Sequence, residues 1–558
     1  MPKPTHTCLL ISDFTMEPMA VFLRRGKSGL RIDPVVAPFN QVMQVLVDSR
    51  ALCWETNPDF AVVWTQPGSI IPPFDRLRQY EQVPLNTILS IVDRFCELIM
   101  GVSKRLKAVF VPAWVLPSGE RGWGMLDLTS EVGLGGTLMR MNLQLIERLR
   151  GIPNVFIMDT HRWLAASRKQ AFNATMWYGA KLAFSKEIFE QAAEDIYGAI
   201  AGILGQSRKL VVLDLDDTLW GGIVGDIGWE NVILGGHDPI GEALVDFQKD
   251  LKRLIRRGML LAIVSKNEET IALDAIEKNP EMILSKDDFV SWRINWNDKA
   301  QNIADLVEEL NLGLQSVVFI DDNPAERARV RETLPDVFVP EWPKNKLLYP
   351  ECLGKLTCFD VPNISEEDIR RTKLYIAERG RSRLKIGVSS LDEWLKTLEL
   401  QVTVEELNEF NRKRTAQLLN KTNQMNLSTR RLTETELIEW AGKKNHIVYT
   451  FRVLDRFGDS GLTGIASVSI DGQTARIVDF ILSCRVMGRK IEETMLHTLS
   501  TLIRPKGVSK LVARYNPTAK NLPCLRIFEN LGMQNQGNGV FIWDMACDYP
   551  MPSHIHLG

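Results

Sequence analysis

The feature that most constrains this chain is a set of short, wholly apolar runs, each ending in polar residues. Between positions 209 and 322 these runs are LVVLDL, MLLAIVS and SVVFIDD. Continuous rather than alternating apolar runs belong to strands buried on both faces, which implies a parallel sheet covered by helices. Before about residue 205, similar runs (CLLIS, FAVVWT, KAVFVPAWV, NVFIMD) alternate with helical patterns and predict a second parallel α/β block. From about residue 386 the order changes to a helix, long β-type runs (HIVYTFRVLDRF, IASVSI, ARIVDFILSC) and then helix–strand–helix, which predicts a separate α+β domain. A charged helical connector, SEEDIRRTKLYIAERGRSR, leads into it. The 558 residues therefore divide into three domains, 1–205, 206–365 and 366–558.

Composition narrows the function. Lys and Arg total 67 against 69 Asp and Glu, a net charge of -2 with no basic tract, which argues against nucleic acid as the main partner. No apolar stretch reaches about 18 residues, so no membrane span is expected. The opening MPKPTHTCLLISDFT lacks the pattern of a secretory signal, and the eight cysteines are scattered without a CxxC pair. A cytoplasmic chain with reduced thiols is the expectation.

The polar strand ends carry the chemistry. Asp214 and Asp216 stand two apart at the end of LVVLDL, and Thr218 follows. Ser265 ends MLLAIVS, with Lys266 and Asn267 after it; Lys299 lies near the start of a helix; Asp321 and Asp322 end SVVFIDD. In an open parallel sheet all of these fall in the crevice at the carboxyl edge. Clustered carboxylates repel one another unless a cation sits between them, and their oxygens suit Mg²⁺. An anionic nucleophile, a metal and a lysine together suit phosphoryl chemistry.

DLDDTLW, IVSKN, DKAQNI and FIDDN, in that order, resemble the haloacid dehalogenase (HAD) phosphohydrolase superfamily. The resemblance implies a Rossmann-like domain with Asp214 as nucleophile. Asp216 would be the general acid/base, also lending a backbone carbonyl to Mg²⁺. Thr218 would order the loop, Ser265 and Lys299 would hold and screen phosphate, and Asp321 and Asp322 would complete the metal site. The short interval from Thr218 to Ser265 leaves no room for a large cap. The longer run DLDDTLWGGIVGDIGWENVILG, with FIDDNPAERARV, is similar to the FkbH-like branch, whose members supply three-carbon units to polyketide assembly lines.

In the third block Cys484 ends an apolar run beside Arg485 and Arg489, with a helix after it, a setting that lowers a thiol pKa; a buried structural cysteine is the alternative. Arg485-Val486-Met487-Gly488-Arg489-Lys490 resembles the signature turn of the GNAT N-acetyltransferases, which implies a GNAT-like domain and a groove for a pantetheine arm. Lys490 stands where a small residue is usual. The stretches KTNQMNLSTRR, DRFGDSGLTG and ILSCRVMGR are shared with FkbH-like proteins. Their resemblance implies a thioester at Cys484, formed from 1,3-bisphosphoglycerate and passed to an acyl carrier protein. Asn423, Gln424, Asn426, Arg430 and Arg431 are candidate polar contacts for the acyl unit or a phosphate, or else an N-capped polar loop; Asp455 and Asp459 either orient the thiol or are ordinary turn carboxylates. Two further readings stay open: a plain HAD phosphatase with a GNAT-like binding domain, and an acyl-CoA-dependent acyltransferase.

In the first block, SDFT, APFNQVMQVL, MRMNLQLI and DTHRW are similar to the SGNH hydrolases. That pattern offers Ser12, Asn40 or Asn142, Asp159 and His161, on a hydrolase-derived scaffold. His554 and His556 are expected in a frayed tail.

Overall fold

A computed structural model describes residues 5–25, 30–117, 119–128, 133–167, 171–364, 366–386, 390–422, 425–518, 521–546 and 548–558. The chain forms two compact units, Met1–Ser207 with Thr357–Pro362, and Arg208–Leu356 with Asn363–Gly558.

In the first unit five strands pair in parallel: β1 (Thr5–Ser12), β2 (Arg31–Val36), β3 (Phe60–Trp64), β4 (Ala108–Pro112) and β5 (Val155–Met158), in the order β2-β1-β3-β4-β5. Alternate residues feed two cores. Leu9, Ile11, Ala61 and Val63 pack with helices Leu85–Ser103 and Leu134–Leu149 on one face. Cys8, Leu10, Phe60 and Val62 pack with Glu17–Arg25 and Lys186–Ile203 on the other. The period of two, with both faces apolar, is why these strands read as unbroken apolar runs.

The boundary expected at 365 is not a simple one. Residues 357–362 return to the first unit and lie against the helix Lys186–Ile203. A Cβ on Gly198 would sit 2.6 Å from the Thr357 side chain, and one on Gly202 2.5 Å from the Asp360 carbonyl, so only glycine admits this approach.

The second unit holds two sheets. The central sheet has four parallel strands, β6 (Leu210–Leu213), β7 (Leu260–Ser265), β8 (Phe289–Ile294) and β9 (Val317–Ile320), in the order β8-β7-β6-β9. The helices that follow have matching start signals. Asp238 caps Pro239–Arg256, Asp298 caps Lys299–Glu309 and Asn323 caps Pro324–Thr333, each through its side-chain oxygen.

The third sheet comprises β10 (Leu400–Glu406), β11 (His446–Asp455), β12 (Gly458–Asp471), β13 (Thr474–Leu482), β14 (Lys510–Arg514), β15 (Gln534–Asn535), β16 (Val540–Asp544) and β17 (Ile555–Leu557). Its order is β15-β16-β14-β13-β12-β11-β10-β17, with β13 and β14 parallel in a largely antiparallel array. The tail is not frayed, as the sequence suggested: β17 pairs with β10, and the ring of His554 is buried 3.3 Å from the carbonyl of Arg489.

The charged connector becomes the helix Arg371–Ile386, which touches both sheets of this unit. Tyr375 packs on the core of the central sheet and Arg379 lies 4.3 Å over the Trp292 ring. Arg381 pairs with Asp455 at the end of β11. Among the described residues no helix is long and apolar enough to cross a membrane.

Candidate functional site

The order β8-β7-β6-β9 reverses direction at β6, so the crevice between the carboxyl ends of β6 and β9 is the topological switch point. Asp214 ends β6 and Asp321 ends β9, with the Asp214 N–H donating to the Ile320 carbonyl at 3.0 Å. Carboxylate oxygens of Asp214, Asp321 and Asp322 lie within 4.8 Å of one another. Lys299, at the first position of its helix, donates to Asp321 at 2.6 Å and reaches Asp214 at 3.0 Å.

Asp214, Asp321 and Lys299 are buried and Asp322 half-buried, and the charges of the group do not balance. One ammonium faces three carboxylates. Burial, and then the Asp214 charge, push the Asp321 carboxyl above its ordinary range; the same two causes, with Asp217, raise Asp322. Burial alone would lower the Lys299 ammonium, but Asp214 and Asp321 together hold it above its ordinary value. Oxygen donors with surplus negative charge fit a hard divalent cation, with Asp214, Asp321 and Asp322 as the residues that would hold it.

Asp216 stands apart from that cluster. The resemblance gives the metal its backbone carbonyl rather than its carboxylate, and the carboxylate is turned aside. It accepts from the Trp220 indole at 2.9 Å, the Val224 N–H at 3.1 Å and Asn267 Nδ2 at 2.8 Å. Any share in metal binding therefore falls to its backbone carbonyl. Burial raises its pKa despite those donors, a state suited to a general acid.

The loop after β6 is held by a small network. Asp217 takes the left-handed conformation (φ 56°), which Asp tolerates, while its side chain accepts from the Gly222 N–H and pairs with Lys346 at 3.1 Å. Thr218, fully buried, accepts the Asp322 N–H at 3.2 Å. Ser265 is buried at the end of β7. Lys266, expected at phosphate, is paired with Glu326 at 2.7 Å. Three residues escaped the sequence reading. Arg327 donates to the carbonyls of Asp321 and Asp322, Tyr349 donates to the Asp217 carbonyl, and Lys346 pairs with Asp217. Arg327 was within reach, one helical turn past the capping Asn323; Lys346 and Tyr349 open two short helical segments, Lys346–Leu348 and Tyr349–Gly354, too brief to show a periodic signal.

The third sheet contains the second group of candidates. Asn423, Gln424 and the side chain of Cys484 lie outside the described residues. The backbone of Cys484 opens a short 3-10 turn (Cys484–Val486) after β13, and the α-helix starts only at Ile491. Arg489 is buried and donates to Asp455 at 3.1 Å and to the Arg485 carbonyl. Arg485 donates to the Ser483 hydroxyl at 3.1 Å. Gly488 has φ 76° and Lys490 φ 62°, so the turn is left-handed where the resemblance expects small residues. Asp459 pairs with Arg452.

Strands β13 and β14 are paired only from Thr474–Lys510 to Ile477–Ala513. Beyond that, the chain's own residues 425–427 fill the opening. Leu427 N–H donates to Phe480 O, Leu482 N–H to Met425 O, and Asn516 N–H to Leu427 O, each at 3.2 Å. All three residues are buried. Ser428 and Arg430 tie the following turn to the buried Asp479, each at 2.8 Å, and Arg431 donates to the Leu419 carbonyl.

In the first unit three of the hydrolase-type residues are engaged elsewhere. The Ser12 hydroxyl accepts the Phe14 N–H, Asn142 exchanges two hydrogen bonds with the backbone of Trp114, and Asp159 caps its helix. Asn40 and His161 are exposed. The Trp114 indole, after β4, donates to the Thr65 hydroxyl just after β3.

Residues 24–201 match the profile of a family described as FkbH, N-terminal domain. That segment belongs to the FkbH N-terminal domain family. The chain is also similar to the N-terminal part of BF1531 from Bacteroides fragilis, whose crystal structure contains a phosphatase domain complexed with Mg. The two are 28% identical with a TM-score of 0.57, over 65% of this chain and 95% of that one. The ribosomal-protein-S18-alanine N-acetyltransferase of Escherichia coli aligns with 26% of this chain and 95% of its own, at 10% identity and a TM-score of 0.21. No curated protein sequence matches the chain.

Proposed function

We propose that this FkbH-related chain converts 1,3-bisphosphoglycerate into a glyceryl thioester and passes the glyceryl unit to an acyl carrier protein. The observation that carries this reading is the buried Asp214–Lys299–Asp321–Asp322 cluster at the switch point of a sheet similar to a Mg-bound phosphatase domain. Asp214, Asp321 and Asp322 would hold Mg²⁺, which when bound would supply positive charge for the phosphoryl oxygens.

Two bonds to phosphate must break. At the distal phosphate, Asp214 attacks phosphorus while Asp216, whose carboxyl burial shifts toward the protonated form, gives its proton to the departing C3 oxygen. Asp216 then takes a proton from the water that hydrolyses the aspartyl-phosphate. Lys299 holds Asp214 in line, and Ser265 and Asn267 border the phosphate. At the acyl phosphate, the Cys484 thiolate attacks the carbonyl carbon, the C–S bond forms, and inorganic phosphate leaves with the C–O electron pair. Transfer to the carrier's thiol regenerates Cys484.

Residues 425–427 favour a second reading over free coenzyme A chemistry, because they occupy the opening between β13 and β14. In that reading the chain is a phosphatase whose C-terminal domain binds a partner. Phosphate counting separates the two. The thioester route releases two phosphates per bisphosphoglycerate, and Asp214→Asn releases one. A Cys484→Ser enzyme that releases phosphate at the wild-type rate and stoichiometry supports the phosphatase instead.

A further inference from the structure

In the first unit the helix Leu134–Leu149 is apolar along two faces, and the core takes only one of them. Leu134, Leu138, Met141, Leu145 and Leu149 recur at helical spacing and are buried in the core beside the five-stranded sheet. Met139, Leu143 and Ile146 form a second stripe, at i, i+4 and i+7, and are 63%, 54% and 44% exposed. A helix lying on a sheet needs one such stripe. The neighbouring helix Leu85–Ser103, joined to this one by Gln144 and Asp93, exposes Asn86, Ser90, Arg94 and Glu97 instead.

The second stripe does not stop at the helix. Gly136 stands on its line, three positions before Met139. Leu128, 65% exposed, lies over Gly135 and Gly136, so that a Cβ on Gly135 would come 3.2 Å from its side chain. Single exposed apolar residues are ordinary, but a continuous apolar line is surface that association removes from water.

The charges beside the stripe indicate what covers it. Arg140 and Glu147 are exposed on one flank, seven residues apart and so nearly in line along the helix. A rise of about 10 Å keeps them from pairing with each other. Neither joins an ion pair among the described residues, whereas the nearby Arg148 pairs with Asp93. When two identical helices pack antiparallel about a two-fold axis, each flank meets the same flank of the other copy with its order reversed. An axis level with the Leu143–Gln144 peptide brings Arg140 opposite Glu147 of the second copy, and Glu147 opposite its Arg140. The same axis sets Leu143 against Leu143 and Met139 beside Ile146. Two ion pairs then flank an apolar seam. A partner of one charge sign would suit one of these residues and repel the other; a second copy suits both.

We propose that this chain forms a two-fold dimer through the Met139–Leu143–Ile146 face of the helix Leu134–Leu149. Sedimentation equilibrium of the full chain tests it. The wild type is a dimer at about 50 μM. Leu143→Glu, which sets two like charges on the axis, is a monomer with an unchanged circular dichroism spectrum. Arg140→Glu and Glu147→Arg each weaken the dimer at least about 10-fold, and the double variant regains affinity to within about 3-fold of wild type. Should Leu143→Glu unfold, Leu143→Cys replaces it: mild oxidation joins two copies through that residue, because it faces itself across the axis. A wild-type chain that is monomeric at about 50 μM overturns the proposal. So does a dimer that persists in folded Leu143→Glu, a Leu143→Cys chain that does not cross-link through that residue, or a charge reversal that the double variant does not rescue.

Discussion

Lys299 and Asp214 meet at 3.0 Å with both side chains almost wholly removed from water, so each depends on the other for its charge. Replacing Lys299 by Met leaves Asp214 and Asp321 without a cation, and a loss of about 3 to 5 kcal/mol in unfolding free energy is expected by urea titration. Phosphate release by that variant falls at least about 100-fold, because the lysine also offsets charge on the transferring group. Asp214→Asn keeps the fold and removes the carboxylate proposed as nucleophile; its rate at the distal phosphate is expected to fall by at least about 1000-fold in a phosphate-release assay. Elsewhere, Glu492 in the first turn of the helix Ile491–Ile503 has an oxygen buried without a partner, and burial raises its pKa. A carboxyl raised in the folded state is more stable protonated, so its cost is absent below the ordinary Glu pKa and grows as pH rises through it. Glu492→Gln therefore raises the melting temperature relative to wild type at pH 8 and not at pH 4.

Strand ends were the most legible elements. Fully apolar runs ending in Asp or Ser identified β6, β7 and β9 together with Asp214, Ser265 and Asp321, because a parallel strand must stop where its backbone meets a polar crevice. Pattern could not say which way a side chain turns. Asp214 and Asp216 share a strand-like spacing, yet the left-handed Asp217 and the indole of Trp220 take Asp216 away from the metal cluster. Nor could local sequence show that residues 425–427 leave their neighbours to pair with β13, since that contact spans more than fifty positions. The anchor of that segment is Asp479, which accepts from Ser428, Arg430 and Ser467. Asp479→Asn weakens three charge-assisted bonds at a buried site. It is expected to cost about 2 to 3 kcal/mol by denaturant titration and to expose 425–430 to limited proteolysis before global unfolding.

At the scale of the molecule, three sheets were readable from three different rhythms of apolar residues, but not the division of the chain into two compact units. The return of 357–362 to the first unit rests on Gly198 and Gly202, whose role depends on a partner distant in sequence. The helix Arg371–Ile386 reads in the sequence only as a charged helical connector. Its Arg381 is instead buried against Asp455, which also receives Arg489 from the turn after Cys484. That pair joins the helix lying on the central sheet to the turn carrying the thiol.

The claim that the two sites act on one substrate is tested most directly by intact-mass analysis after incubation with 1,3-bisphosphoglycerate and Mg²⁺. The wild-type chain gains one glyceryl group, discharged on addition of carrier protein. Asp214→Asn gains a glyceryl group still bearing its distal phosphate, and Cys484→Ala gains none. A glyceryl adduct that persists in Cys484→Ala, or a wild-type chain that releases phosphate without ever gaining mass, contradicts the account.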